Sequence, residues 1–163
     1  MNHNRSFSVS VRPSSKTRAR LLIPRATLRF ARSDAPSLMP FQYVLDSHRR
    51  MARIRMWDVI TRAEVMTVRQ QLAADPGFTE DFSELIDLQG LTSLDQITAN
   101  DVRALAASEV ERVQRRAFVT RDPVTFGLAR MFQSHHSMSR EAGEVQVFGT
   151  VEEAEAWLVD DRP

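Results

Sequence analysis

A threonine followed three residues later by an acid stands ahead of three candidate helices in this chain: Thr61 with Glu64, Thr98 with Asp101, and Thr150 with Glu153. At a helix start the hydroxyl accepts from the backbone N–H three residues on, and in a full capping box the acid answers on the threonine's own N–H. Ile60 with Val65, and Ile97 with Val102, add the apolar staple that sets how the chain enters the helix. Between these helix starts lie short apolar runs: "FQYVLD" (41–46), "RMARIRMW" (50–57), "SELIDL" (83–88), "RAFVT" (116–120) and "EVQVF" (144–148). Their length and β-branched content read as strands. The first two, split by the polar turn "SHR", read as a hairpin. Strands alternating with helices then demand an α/β fold with a mostly parallel sheet.

The helix stripes agree with that plan. Val65, Val68 and Leu72 share one face of the first helix, which should stop at "DPG" (75–77). Val102, Leu105, Ala106 and Val110 make the stripe of the second, and Val151, Ala154, Trp157 and Leu158 that of the last. The expectation is one small domain over 39–163, with five mostly parallel strands, an antiparallel first strand and about four helices. A chain of 163 residues, 42% hydrophobic, is large enough for such a core.

Residues 1–38 follow other rules. They carry eight basic groups and one acid, Asp34, for a net +7, whereas residues 39–163 carry 14 Arg and 20 acids, for a net −6. The first 38 residues show neither a helical nor a strand period, and no contiguous apolar run of a signal peptide. They are expected to be a disordered basic tail, or an artefact of an upstream start codon with the protein beginning at Met39. A basic arm for nucleic acid or an acidic surface, and an organellar transit peptide, are the alternatives. Nothing supplies base readout, so nucleic acid is not an expected partner outside the tail.

The chain has no cysteine, which excludes disulfides, zinc thiolate sites and thiol catalysis. No apolar run approaches the roughly 18 residues of a membrane span, and a cytoplasmic setting is the simplest expectation. The 21 Arg against one Lys is read as the coding bias of a GC-rich bacterial genome.

The segment "TFGLARMFQSHH" (125–136) should be a helix, with Asp122 as N-cap and Pro123 in the first turn. At 100° per residue, Val124, Gly127, Leu128, Met131, Phe132 and His135 form one face, expected to be the inner one. Phe126, Arg130 and Gln133 form the outer face. Gly127 costs about 1 kcal/mol against Ala in a helix, which a close approach of backbone to the sheet, or to a ligand at the helix N-terminus, would explain. Phe126 and Arg130 are either an arginine stem over a half-exposed ring or a recognition surface for a protein partner or a second copy.

Taken together, "YVLDSHRRMARIRMW", "LAADPGFTEDFSELIDLQGLT", "DVRALA", "RRAFVTRDPVTFGLARMFQ" and "VQVFGTVEEAEAWL" resemble the bacterial STAS-like family described as similar to the SpoIIAA anti-sigma factor antagonist. The likeness runs over about 42–158, and its most specific pieces are "DP.F...F..L.DL" and "GLARMF". It implies a small STAS or CRAL-TRIO-like domain that acts by binding a protein partner, an apolar ligand or a nucleotide. The sigma-regulating members carry a phosphorylatable serine in an Asp-Ser-x-Gly loop before the second helix. Here "QGLTSLDQITAND" has no such motif, and Ser93 is the nearest candidate phosphosite.

Candidate sites follow from position. Ligands of open α/β sheets collect at the carboxyl ends of strands, which points to Asp87, Gln89, Gly90, Thr120 and Arg121. His135 and His136 are adjacent and diverge on a helix, so no shared metal is expected. No phosphate loop, dinucleotide fingerprint, nucleophile elbow or zinc-protease motif is present, and no catalytic residue or cofactor is assigned. A non-enzymatic binding or regulatory module is the first reading. A carrier of a small apolar or amphipathic molecule is the second, and it predicts a closed apolar cavity beneath the helices, lined by Met131 and Phe132.

Overall fold

Asp46 makes the first turn: its Oδ1 accepts from the N–H of His48 at 3.1 Å and of Arg49 at 3.0 Å. The chain then doubles back, so β1 (Phe41–Asp46) pairs antiparallel with β2 (Met51–Val59). The computed structural model describes residues 39–94, 96–107, 113–138 and 143–160. Val110, placed in a buried stripe above, and the basic tail at 1–38 lie outside these residues.

The capping chemistry appears where the spacing requires it. Thr61 and Glu64 form a full capping box on α1 (Arg62–Ala74). Thr98 and Asp101 exchange the same pair of bonds ahead of α2 (Ala99–Ala107), with Thr98 N–H to Asp101 Oδ2 at 3.0 Å and Asp101 N–H to Thr98 Oγ1 at 3.2 Å. Asp122 caps α3 (Pro123–His136), and Thr150 caps α4 (Val151–Val159). Hydrogen bonds from neighbouring backbone and hydroxyl groups hold the Asp46, Asp101 and Asp122 carboxyls below their ordinary pKa.

β3 (Ser83–Ser93), β4 (Arg115–Val119) and β5 (Glu144–Phe148) complete a five-stranded sheet in the order β1-β2-β3-β4-β5, parallel from β2 onward. Because each strand is laid beside the one before it, right-handed crossovers carry α1, α2 and α3 to one face. That face is filled by Ala52, Ile54, Met56, Ile60, Val68, Leu72 and Ile86, and by a second cluster of Val102, Leu105, Phe132 and Val145. α4 closes the reverse face with Ala154 and Leu158 against Met51, Leu85, Ala117 and Val119.

Two features differ from the expected reading. β3 runs on to Ser93, so Gln89 and Gly90 lie inside a strand and not in the loop after it. A bulge makes this extension fit: two steps in β2, from Arg55 to Trp57, face three in β3, from Asp87 to Gly90. The bulge turns Leu88 and Leu91 to the same side despite their odd spacing. Gly90 is required there, because a Cβ would sit 2.9 Å from the Met56 carbonyl oxygen.

The second difference is the phase of α3. Its buried residues are Thr125, Ala129, Phe132 and His136; of the expected inner stripe of Val124, Gly127, Leu128, Met131, Phe132 and His135, Phe132 is buried, Leu128, Met131 and His135 are half-buried, and Val124 and Gly127 are exposed. Val124 is 68% exposed, and nothing lies within 4 Å of a Cβ built on Gly127. The reason is local. Thr125 can be buried because its hydroxyl donates to the Asp122 carboxylate at 2.8 Å. Ala129 is then the small residue turned inward, so Gly127 answers no close approach.

Candidate functional site

Between the sheet and helices α1, α2 and α3 lies an apolar space of about 120 Å³. Ile54, Met56 and Ile86 form its floor, Val68 and Leu72 one wall, and Val102, Leu105, Ala129 and Phe132 the other. Leu88, Leu91, Leu94 and Ile97 are half-buried and mark a rim where β3 runs toward α2. The space is partly open, not sealed as expected. Phe132 lines it and Met131 does not: Met131 is half-buried against the α2–α3 cluster.

One part of the lining is charged. Glu84 and Arg116 stand opposite each other in the β3–β4 register, both on the cavity face. Arg116 Nε donates to Glu84 Oε2 at 2.5 Å, with the side chains only 2% and 3% exposed. The Arg116 guanidinium also lies 5.6 Å from the centroid of Phe132, a cation–π contact. His136 stacks on the same ring at 5.6 Å and is 4% exposed. Burial holds the His136 imidazole below its ordinary pKa, Arg116 and Arg69 add to that, and Glu84 and the Gly143 backbone oppose it. Arg69 reaches in from α1, its Nη1 3.5 Å from the Leu105 carbonyl on α2.

The strand-end candidates converge in part. Gln89, Thr120 and Arg121 line a polar cleft of about 450 Å³ with Asp122, Thr150 and Glu152, at the starts of α3 and α4. Gln89 Nε2 at 3.1 Å and Arg121 Nε at 3.0 Å both donate to the Gly149 carbonyl, which pins the turn between β5 and α4. Asp87 is not in this cleft: its carboxylate accepts from the Gln89 N–H at 3.0 Å and faces Arg55 Nε at 3.9 Å. Gly90 serves the bulge. Ser93, the phosphosite candidate, is the last residue of β3 and pairs with Val59, so it sits in a strand and not in a loop.

On the outer face of α3, Phe126 is 42% exposed. Arg130 Nη1 donates to Gln133 Oε1 at 2.6 Å, and Gln133 Nε2 in turn donates to the Val145 carbonyl, which ties α3 to β5. Among the described residues no group of three His, Asp or Glu side chains is placed to hold a metal ion, and no helix is long and apolar enough to cross a membrane.

Reasoning from sequence missed Glu84, Arg116, Arg69 and His136. The one available signal was Glu84 itself, a charge next to the apolar run "LIDL" in a strand buried on both faces.

No family model matches this chain, and no curated protein matches it. Among solved structures it is similar to an uncharacterized protein of the DUF3478 family with a SpoIIAA-like fold from Shewanella loihica PV-4. The two are 19% identical with a TM-score of 0.50, over 72% of this chain and 93% of that one. The likeness is one of fold: a small α/β domain of SpoIIAA-like, STAS type.

Proposed function

For a SpoIIAA-like domain with an apolar cavity under three helices, we propose the role of a cytoplasmic, non-enzymatic binding module that holds a small apolar or amphipathic ligand. The observation that carries this reading is the cavity. A space of about 120 Å³ is close to the roughly 150 Å³ that stays dry and admits benzene in an engineered protein interior. Its lining is aliphatic and aromatic apart from the charged groups and Thr125, the pattern of ligand pockets in general. Native mass spectrometry of the gently purified full chain tests it: a mass lost on denaturation supports the reading. Ala129→Phe, which fills the cavity from α3, should abolish that mass with an unchanged far-UV spectrum. A bare protein that also takes up neither benzene nor 1-hexanol counts against it.

A second reading rests on the outer stripe of α3, where the exposed Phe126 lies beside Arg130 and Gln133. Such a stripe suits a protein partner or a second copy. Arg130→Glu should then abolish partner capture while the melting temperature stays nearly constant; capture that survives rules this surface out.

A further inference from the structure

The polar groups around the cavity are turned to one another and not to the space. Four of the lining side chains are polar: Arg69, Glu84, Arg116 and Thr125. Arg116 Nε donates to Glu84 Oε2 at 2.5 Å, with the two side chains 2% and 3% exposed. The Thr125 hydroxyl donates to Asp122 Oδ2 at 2.8 Å, and Asp122 stands outside the lining. Arg69 Nη1 reaches across to the Leu105 carbonyl on α2, and that is not its only contact. Backbone at the rim is served in the same way, with the Ile97 N–H donating to the Leu94 carbonyl at 2.8 Å. The wall that a ligand would touch is therefore nearly all carbon.

We propose that this cavity selects by exclusion: it takes a small neutral hydrocarbon group and rejects the same shape carrying a hydrogen-bonding atom. This rests on the cavity being a ligand site, and it narrows the class of ligand. A polar atom that enters leaves its water behind and finds no complement on the wall. Burying such a group unpaired lowers affinity by about tenfold or more. Sites built to recognise a polar ligand work the other way, with a few placed polar groups that fix its orientation. The volume of about 120 Å³ is that of a single ring or a short branched chain, by comparison with the benzene-sized cavity. Where a ligand is longer, its polar end stays outside, past the half-buried rim of Leu88, Leu91, Leu94 and Ile97.

The test is a set of size-matched pairs. The full chain is titrated near neutral pH, where every probe is uncharged, with benzene against pyridine and toluene against phenol. Calorimetry reads the affinity, and amide shifts read the place. Each hydrocarbon should bind at least about tenfold more tightly than its polar match, the cost of one buried polar atom left unpaired. The shifts should concentrate around Val102, Ala129 and Phe132, and Ala129→Phe should abolish the binding with an unchanged far-UV spectrum. If pyridine or phenol equals or beats its hydrocarbon, selection by exclusion is overturned while the ligand cavity stands. If neither hydrocarbon binds, or if the shifts lie away from these residues, the cavity is not a ligand site and both readings fall.

Discussion

Arg116→Met is the sharpest perturbation of this core. Met roughly keeps the volume of the side chain and removes its charge, leaving the Glu84 carboxylate in a place where its own side chain is 3% exposed. Removing one partner of a buried ion pair costs about 3–5 kcal/mol, because the remaining charge has lost its compensation. The contact with the Phe132 ring goes as well, worth up to about 2 kcal/mol in a desolvated setting. Against the roughly 5–15 kcal/mol that stabilises an ordinary domain, this takes at least about a fifth. The double substitution Glu84→Met with Arg116→Met behaves differently. Replacing a buried pair by apolar side chains of similar volume is often neutral or stabilising by about 1–4 kcal/mol, so the double variant should recover most of the loss. The assay is urea denaturation of the four corners of the cycle, reading the midpoint with the slope held common. A double variant as unstable as Arg116→Met, or an Arg116→Met cost under about 1 kcal/mol, would refute the account of this pair as buried and mutually dependent.

Four further outcomes are expected. Thr61→Ala removes the hydroxyl of the α1 capping box and should cost about 1 kcal/mol, measured by chemical denaturation. Gly127→Ala should raise stability by up to about 1 kcal/mol, since the site is open and helical. Gly90→Ala should lower it by about 1–3 kcal/mol, since the new methyl meets the Met56 carbonyl; opposite signs in thermal melts check both the α3 phase and the β3 bulge. The fourth concerns pH. His136 is held neutral in the folded state, so the unfolded chain takes up the proton first as pH falls. Its contribution is intact above the unfolded value of about 6.5, shrinks as the pH drops below that, and stops shrinking below the lower folded pKa. His136→Phe should flatten the stability profile as the pH falls below the unfolded value of about 6.5; equal slopes for the two proteins would show that His136 carries none of it.

What could be read from the chain alone was whatever is decided within a few residues. The Thr61–Glu64 and Thr98–Asp101 exchanges span three positions, and the structure has both. The hairpin turn at Asp46 and the cap at Asp122 belong to the same class. The helix over 123–136 was legible as a helix but not in its rotation. Hydrophobicity alone ranks Val124 and Met131 above Thr125 and Ala129, and only the Asp122–Thr125 bond inverts that ranking. The pair at the polar end of the cavity was out of reach for another reason. Glu84 and Arg116 are 32 residues apart, and their meeting depends on the β3–β4 register, which no local pattern specifies. The strand-end group was half legible: Gln89, Thr120 and Arg121 do converge, while the bulge at Gly90 turns Asp87 away toward Arg55.

The sheet order β1-β2-β3-β4-β5 has a consequence for how the chain is made. Every strand finds its partner in the segment synthesised just before it, so the sheet can lengthen in step with translation, from the hairpin outward. Loop closure is short at each step, which favours quick assembly. The reverse face has no such cover on offer. Met51, Leu85, Ala117 and Val119 wait for Ala154 and Leu158, which are synthesised only after all five strands. A nascent chain halted before Thr150 therefore displays a complete sheet with one greasy side, and chaperones that recognise exposed apolar surface should engage it at that stage and let go once α4 has docked.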